Sequence, residues 1–285
     1  MQMSEMRADR IVRKLWDSDV VEWDRRWVPI FRSFAQDLVS DAGISGGMTV
    51  LDVGTGTGIA ALEAAKRVGP NGFVIGIDRS RPMLDLAAKK RSMKFPNIRF
   101  LKMSAERLHF SDKRFDVLIS NCGISYATFP QVVAEGFRVL RKGGVFALND
   151  WHLKDVPAHR AFSNVLEQYR TTHPSKRLRT QRVALAMLER MGSRYLTLDS
   201  QREQLEMVGF RKIGVRERQY RFELRGIQQY LDLRLKRAAL RSELSELATD
   251  QRKAFLTALR NELRSFLRGE RFILNWKVNF IWASK

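Results

Sequence analysis

Cysteine is almost missing from this 285-residue chain, where Cys122 stands alone. A single thiol closes no internal disulfide and excludes a zinc site built on several cysteines. The first thirty residues lack an apolar stretch ahead of a small-residue cleavage site, because Asp, Glu and Arg are scattered through them. No run approaches the roughly eighteen apolar residues that cross a bilayer. Fixed-period repeats and low-complexity tracts are missing too. These absences predict a cytoplasmic globular protein with no transmembrane segment.

Hydrophobic residues make up 44% of the chain and aromatics 10%, enough for a packed core. The length suits one large domain, or one domain with a sizeable insertion. The formal net charge is +20, unevenly placed: +6 over residues 1–150 and +14 over residues 151–285. Such a surface attracts nucleic acid, anionic lipid or acidic small molecules. The charge is spread along helical stretches, so an arginine-rich solvated surface accounts for it equally well. Peripheral membrane contact stays open, and so does the oligomeric state.

Residues 5–40 read as helices divided near Pro29. Trp16, Val20, Trp23, Trp27, Phe31 and Phe34 recur at spacings of three and four, which lines one helical face. From Thr49 onward strands and helices alternate. "TVLDVG", "GFVIGID", "IRFLKM", "FDVLISNC" and "GGVFALND" read as strands. "IAALEAAKRV", "RPMLDLAAKKRSMKF" and "PQVVAEGFRVLRK" read as helices, the second with Ser80 as its N-cap and Pro82 in its first turn. That order predicts a parallel sheet with helices on both faces. After Asp150 the rhythm breaks. Residues 151–200 read as mostly helical with a basic hinge at "HPSKRLRTQR", residues 226–268 as long amphipathic helix broken near Thr249, and the C-terminal stretch as a strand or hairpin. The predicted organisation is an N-terminal helical lid (1–48), a nucleotide-binding core (49–150), a helical cap insert (151–200), and completion of the sheet (201–285) around the 226–268 excursion.

The chemistry concentrates in "VLDVGTGTG". Glycines at 54, 56 and 58 let the backbone approach a ligand, and the helix that follows offers free N–H groups. Two cofactor classes fit. Counted from Gly56, the run Gly56, Gly58, Ala61 satisfies the dinucleotide pattern, with Asp78 twenty residues beyond Gly58. Asp52 argues the other way. A carboxylate two residues before Gly54 is awkward beside a pyrophosphate and suits a cationic ligand.

Four stretches in order, "VLDVGTGTG", "GIDRSRPMLDLA", "SAERLHFSDKRFDVLISN" and "EGFRVLRKGGVFALND", resemble the class I S-adenosylmethionine-dependent methyltransferases of the ubiquinone/menaquinone-biosynthesis-like (type 11) group. The resemblance covers residues 49–151 and extends loosely to the late strands. It implies an α/β fold, a Rossmann-like doubly wound seven-stranded sheet with an antiparallel last strand, here with helical cap insertions. It also implies S-adenosyl-L-methionine as cofactor. Asp52, Gly54, Gly56 and Gly58 would surround the methionine part, and Asp78 would hold both ribose hydroxyls. Arg79 and Met83 would flank the adenine, with Ser104, Ala105 and Glu106 at its edge. Asn121 would face the methyl donor. The family usually has Asp where Ser104 stands, a departure that predicts weaker binding, not loss.

The implied reaction is in-line methyl transfer to O, N or C of a small, partly apolar or anionic metabolite. Proximity and orientation carry much of such catalysis. A base is needed only if the nucleophile must lose a proton. His152, Tyr126 and Asp150, near the ends of the fourth and fifth strands, are the candidates for that role. No metal is called for. Three other readings stay open: an RNA or protein methyltransferase using the basic C-terminal half, a non-catalytic binding protein that keeps the fold, and an NAD-dependent oxidoreductase resting on the Gly56 register alone.

Overall fold

The computed structural model describes residues 3–91, 95–124, 127–150, 156–193 and 197–285. The chain forms two compact units. One comprises Val28–Asp150, Met187–Glu217 and Asn279–Lys285, and the other Met1–Trp27, Trp151–Ala186 and Arg218–Val278.

The first unit holds the parallel strands of the sheet. Strands β1 (Thr49–Val53), β2 (Phe73–Asp78), β3 (Ile98–Lys102), β4 (Phe115–Asn121) and β5 (Leu140–Asp150) alternate with helices α3 (Ile59–Val68), α4 (Arg81–Arg91) and α5 (Phe129–Val139). The strand row is β3-β2-β1-β4-β5-β8-β6, where β6 is Arg211–Arg225 and β8 is Arg271–Ser284. Strands β1 to β5 pair in parallel, and β8 runs antiparallel to β5, with Asn149 opposite Phe280. The central strands are apolar almost throughout, as they must be when both faces are covered. Leu51, Ile75, Leu118, Phe146 and Ile281 share one buried core with Val132 and Val133 of α5 and with Leu205 of α8 (Leu198–Val208). Chain order reverses between β2-β1 and β1-β4, so the carboxyl ends of β1 and β4 flank a switch point where ligands bind in open α/β sheets.

Seven strands stand in the row, as the resemblance implies. An eighth, the two-residue β7 (Leu267–Arg268), pairs with β8 across the turn at Gly269 and Glu270.

The second unit is mainly helical and departs from the sequence expectation in three places. "HPSKRLRTQR" is not a hinge over its length, because α6 (Pro157–Tyr169) and α7 (Lys176–Ser193) leave only residues 170–175 between them. The stretch 226–268 is three helices, α9 (Gly226–Leu235), α10 (Ala238–Ser245) and α11 (Thr249–Leu263), followed by a 3-10 turn at Arg264–Phe266. The extra break falls at Arg237, whose backbone is extended so that the Ala238 N–H donates to the buried carboxylate of Asp19 at 2.7 Å. Arg237 Nε lies 3.1 Å from the same carboxylate, and its guanidinium sits over the rings of Trp16 and Trp23. Third, the aromatic series is not one face. Trp16 and Trp23 lie on α1 (Glu5–Arg26) and Trp27 caps it, with ring centroids 5.1 and 5.7 Å apart in succession. Phe31 and Phe34 lie on α2 (Val28–Asp41) in the other unit. Pro29 falls in the first turn of α2, where a missing N–H costs nothing.

Candidate functional site

The glycine turn between β1 and α3 is left-handed at Gly54 (φ +69°), Gly56 (+54°) and Gly58 (+86°). Two of these positions are demanding. A Cβ on Gly54 would meet the backbone of Gly123 at 2.4 Å, and Gly58 caps α3 with Phe100 and Ala87 against it. The Thr55 N–H donates to Ile77 O at 2.9 Å, and the Gly58 N–H to Thr55 O at 2.8 Å, fixing the turn against β2.

Asp52 lies under this turn, fully buried. The Thr55 hydroxyl donates to its Oδ2 at 2.6 Å, while Oδ1 has no hydrogen-bond partner among the described residues. Burial pushes its carboxyl up to about 7, against the pull of the Thr55 hydroxyl and the Ala61 amide. Asp78 ends β2. Its Oδ2 accepts from the Gly56 N–H at 2.9 Å and its Oδ1 from the Ser80 N–H at 2.8 Å. An ionised carboxylate offers about four acceptor positions, so Asp78 keeps acceptor capacity for a ligand beside these amides. Burial raises the Asp78 carboxyl, opposed by the amides of Ser80, Gly56 and Arg79. Ser80 is the N-cap expected of it: its hydroxyl accepts from the Met83 N–H at 3.3 Å, and Met83 is buried.

The turn after β3 stands beside Asp78, since the Met103 N–H donates to Asp78 O at 3.0 Å. The Ser104 hydroxyl donates to Glu106 Oε2 at 2.7 Å, the Thr128 N–H donates to Glu106 Oε1 at 2.9 Å, and an Arg79 nitrogen lies 3.8 Å from Glu106. Arg138 of α5 clamps the continuation of this turn. Its guanidinium donates to Leu108 O and Phe110 O, both at 2.7 Å, and pairs with Glu135, which accepts the Leu108 N–H at 2.6 Å.

At the end of β4, Asn121 is followed by Cys122 in a left-handed conformation (φ +54°). Asn149, opposite Asn121 on β5, organises this corner. Its Oδ1 accepts the Cys122 N–H at 3.0 Å, and its Nδ2 donates to Asn121 Oδ1 at 2.9 Å and to Phe34 O at 3.2 Å. The sequence reading stopped at Asp150 and missed Asn149. A buried Asn next to the last residue of β5 was the available signal. Burial and the Asp150 carboxylate push the Cys122 thiol well above its ordinary range, so it stays a protonated packing group.

The structure therefore brings together Asp52, Gly54, Gly56, Gly58, Asp78, Arg79, Met83, Ser104, Glu106, Asn121 and Asp150 around the carboxyl ends of β1 to β5, with Ala105 in the turn after β3. Tyr126 and His152 lie outside the described residues. The other histidines stand elsewhere: His109 and His173 are exposed, and His159 is a buried residue of the helical unit. Arg182 is held by Glu243 at 2.9 and 2.6 Å, while Arg177 and Arg179 are exposed. These groups fit S-adenosylmethionine. Asp78 keeps acceptors for a diol, Asp52 offers an unsatisfied acceptor and latent negative charge beneath the turn, and bare backbone gives a close approach at Gly54 and Gly123.

Residues 44–208 match the methyltransferase-domain family model, more than half of the chain. The chain belongs to that methyltransferase-domain family, in keeping with its resemblance to the class I S-adenosylmethionine-dependent methyltransferases. Similar curated proteins include the demethylmenaquinone methyltransferase of Deinococcus radiodurans, 38% identical over 121 residues (42% of this chain, 48% of the relative). Another is the 2-phytyl-1,4-naphtoquinone methyltransferase of Nostoc punctiforme, 33% identical over 122 residues (42% and 53%). The arsenite methyltransferase of Halobacterium salinarum is 37% identical over 111 residues (38% and 28%). The chain thus spans about half or less of the length of these relatives. Among solved structures, the YcgJ protein of Bacillus subtilis matches with a TM-score of 0.55 at 21% identity, over 89% of this chain and 98% of that one. At that identity the likeness speaks for the fold alone.

Proposed function

We propose that the chain methylates a small, partly apolar or anionic metabolite with S-adenosylmethionine as donor. The observation that carries this reading is Asp78, a carboxylate tied to the glycine turn by the Gly56 N–H and to the start of α4 by the Ser80 N–H, with acceptor capacity left for a ligand. Bound there, the cofactor supplies an electrophilic methyl group on a sulfonium. Strand order sets the rest. With the diol at the end of β2 and the methyl acceptor near β4 and β5, the adenine belongs on the β3 side. Arg79 and Met83 flank it, and the 104–106 turn reads its edge. Ser104 lacks the family's usual carboxylate, but Glu106 places one 2.7 Å from the Ser104 hydroxyl, which supports an acceptor for the amino group at the same turn.

Asp52 stabilises the cationic end of the donor through its field, acting from beneath the turn. Asn149 holds Asn121 and the Cys122 turn in place, so the wall at the methyl group is rigid before a ligand arrives. Asp150, His152 and Tyr126 are the residues proposed to take a proton from an acidic acceptor. The relatives named above act on arsenite and on quinone-type molecules, which favours a small molecule over nucleic acid here. The test is formation of S-adenosylhomocysteine from S-adenosylmethionine across a panel of hydroquinones, phenols, amines and trivalent arsenic. Turnover with at least one of these is expected, and none with any would count against the reading.

A further inference from the structure

The strands hold the glycine turn through the Thr55 N–H on Ile77 O, the Gly56 N–H on Asp78 and the Thr55 hydroxyl on Asp52. Helix α4 holds it as well. Lys90 reaches across from that helix, and its ammonium donates to Thr57 O at 3.3 Å and to Thr57 Oγ1 at 3.2 Å. Thr57 is buried and Lys90 half-buried. Met83, Ala87 and Lys90 recur at spacings of four and three, so the lysine continues the face that α4 buries. That face already meets the turn one step earlier, since a Cβ on Gly58 would stand 3.2 Å from the Ala87 Cβ.

Two ordinary reasons for a lysine at this place fall short. The last turn of α4 carries Lys89, Lys90 and Arg91, where cations favour a helix C-terminus. Lys89 serves that purpose from the exposed side and needs no contact with the turn. Attraction by the turn is the other reason, and its sign is wrong. Thr57 precedes Gly58, the N-cap of α3, and the partial positive charge of a helix N-terminus repels an ammonium. The two oxygens of Thr57 therefore hold Lys90 there against the dipole.

The consequence is geometric. The Thr57 carbonyl and the Gly58 N–H belong to one planar peptide and point in opposite directions. Lys90 holds the carbonyl, and Thr55 O accepts the N–H at 2.8 Å, so the plane is fixed at both ends. It is the last peptide before α3, and it sets the direction in which the first N–H groups of that helix point.

We propose that Lys90 is a positioning residue for the cofactor, acting through Thr57 to hold the last peptide of the glycine turn in its binding orientation. The proposal rests on the reading that this turn receives S-adenosylmethionine.

The experiment is calorimetric titration of the wild-type chain, Lys90→Met, Lys89→Met, Thr57→Val and the Lys90→Met/Thr57→Val double variant. S-adenosylhomocysteine is the probe, because it lacks the sulfonium charge and removal of a cation does not by itself favour its binding. Lys90→Met is expected to raise the dissociation constant about three- to ten-fold, and Lys89→Met to leave it within about 1.5-fold of wild type. The double variant is expected to bind like Lys90→Met alone, since both substitutions break the same contact. Wild-type affinity in Lys90→Met, an equal loss in Lys89→Met, or single effects that add in full in the double variant would overturn the assignment while leaving the cofactor reading intact. A wild-type chain that does not bind S-adenosylhomocysteine would overturn the cofactor reading itself, and this assignment with it.

Discussion

Gly54 and Gly123 touch through bare backbone: a Cβ on Gly54 would stand 2.4 Å from the Gly123 carbonyl oxygen. The turns after β1 and β4 are thereby held together at the switch point of the sheet. Gly54→Ala combines a left-handed backbone with this clash, so it should destabilise by roughly 3–5 kcal/mol in urea unfolding and abolish cofactor binding. Gly43 is the control. It has φ +64° with open space around the missing Cβ, so Gly43→Ala should cost only about 1–2 kcal/mol and leave binding intact. Equal costs at the two sites would show that the contact does not matter.

Asp78 is assigned to the two ribose hydroxyls. Asp78→Ala should weaken binding of S-adenosylhomocysteine by more than about ten-fold, the loss of charge-assisted hydrogen bonds. An unchanged dissociation constant by calorimetry would remove the ribose assignment.

The sheet and the glycine turn were legible because they rest on local signals: apolar runs, Gly54, Gly56 and Gly58, and a carboxylate ending the next strand. The Ser80 cap was readable for the same reason, since the cap and the N–H it accepts are three residues apart. What stayed hidden depends on distant partners. The break at Arg237 is caused by Asp19, more than two hundred residues earlier, and no periodicity in residues 226–268 records it. Asn149 matters because β5 pairs with β4 and α2 lies within reach of its amide. Glu106 was read as a neighbour of the site, while its hydrogen bond from the Thr128 N–H emerges only when the turn after β3 meets the start of α5.

Asp52 ties affinity and stability to pH. Its folded value, about 7, lies above the ordinary 3.8. The stability it contributes is therefore complete below about pH 4 and is lost as pH rises through about 7, up to roughly 4 kcal/mol in all. Asp52→Asn should be progressively more stable than wild type from pH 4 to 8. S-adenosylmethionine affinity should rise through pH 7 in the wild type, as the carboxylate ionises, and stay flat in the variant. Parallel pH profiles for the two proteins would contradict the assignment.

Arg138 fastens the 104–110 segment to α5 through two carbonyls and Glu135. Arg138→Lys keeps the charge but loses the fork, and should cost about 2–3 kcal/mol. Its effect on binding should be several-fold and confined to ligands that carry adenine. The same loss of affinity for a ligand truncated to methionine would place the 104–106 turn elsewhere than at the base.

The central claim is that the turn from Gly54 to Gly58, with Asp78, receives S-adenosylmethionine and not a dinucleotide. Calorimetric titration of the purified chain with S-adenosylmethionine, S-adenosylhomocysteine and NADH tests it most directly. The account predicts 1:1 binding of both sulfur compounds with micromolar dissociation constants, on the order typical of small-ligand sites, and no heat from NADH. Binding of NADH without either sulfur compound would contradict it.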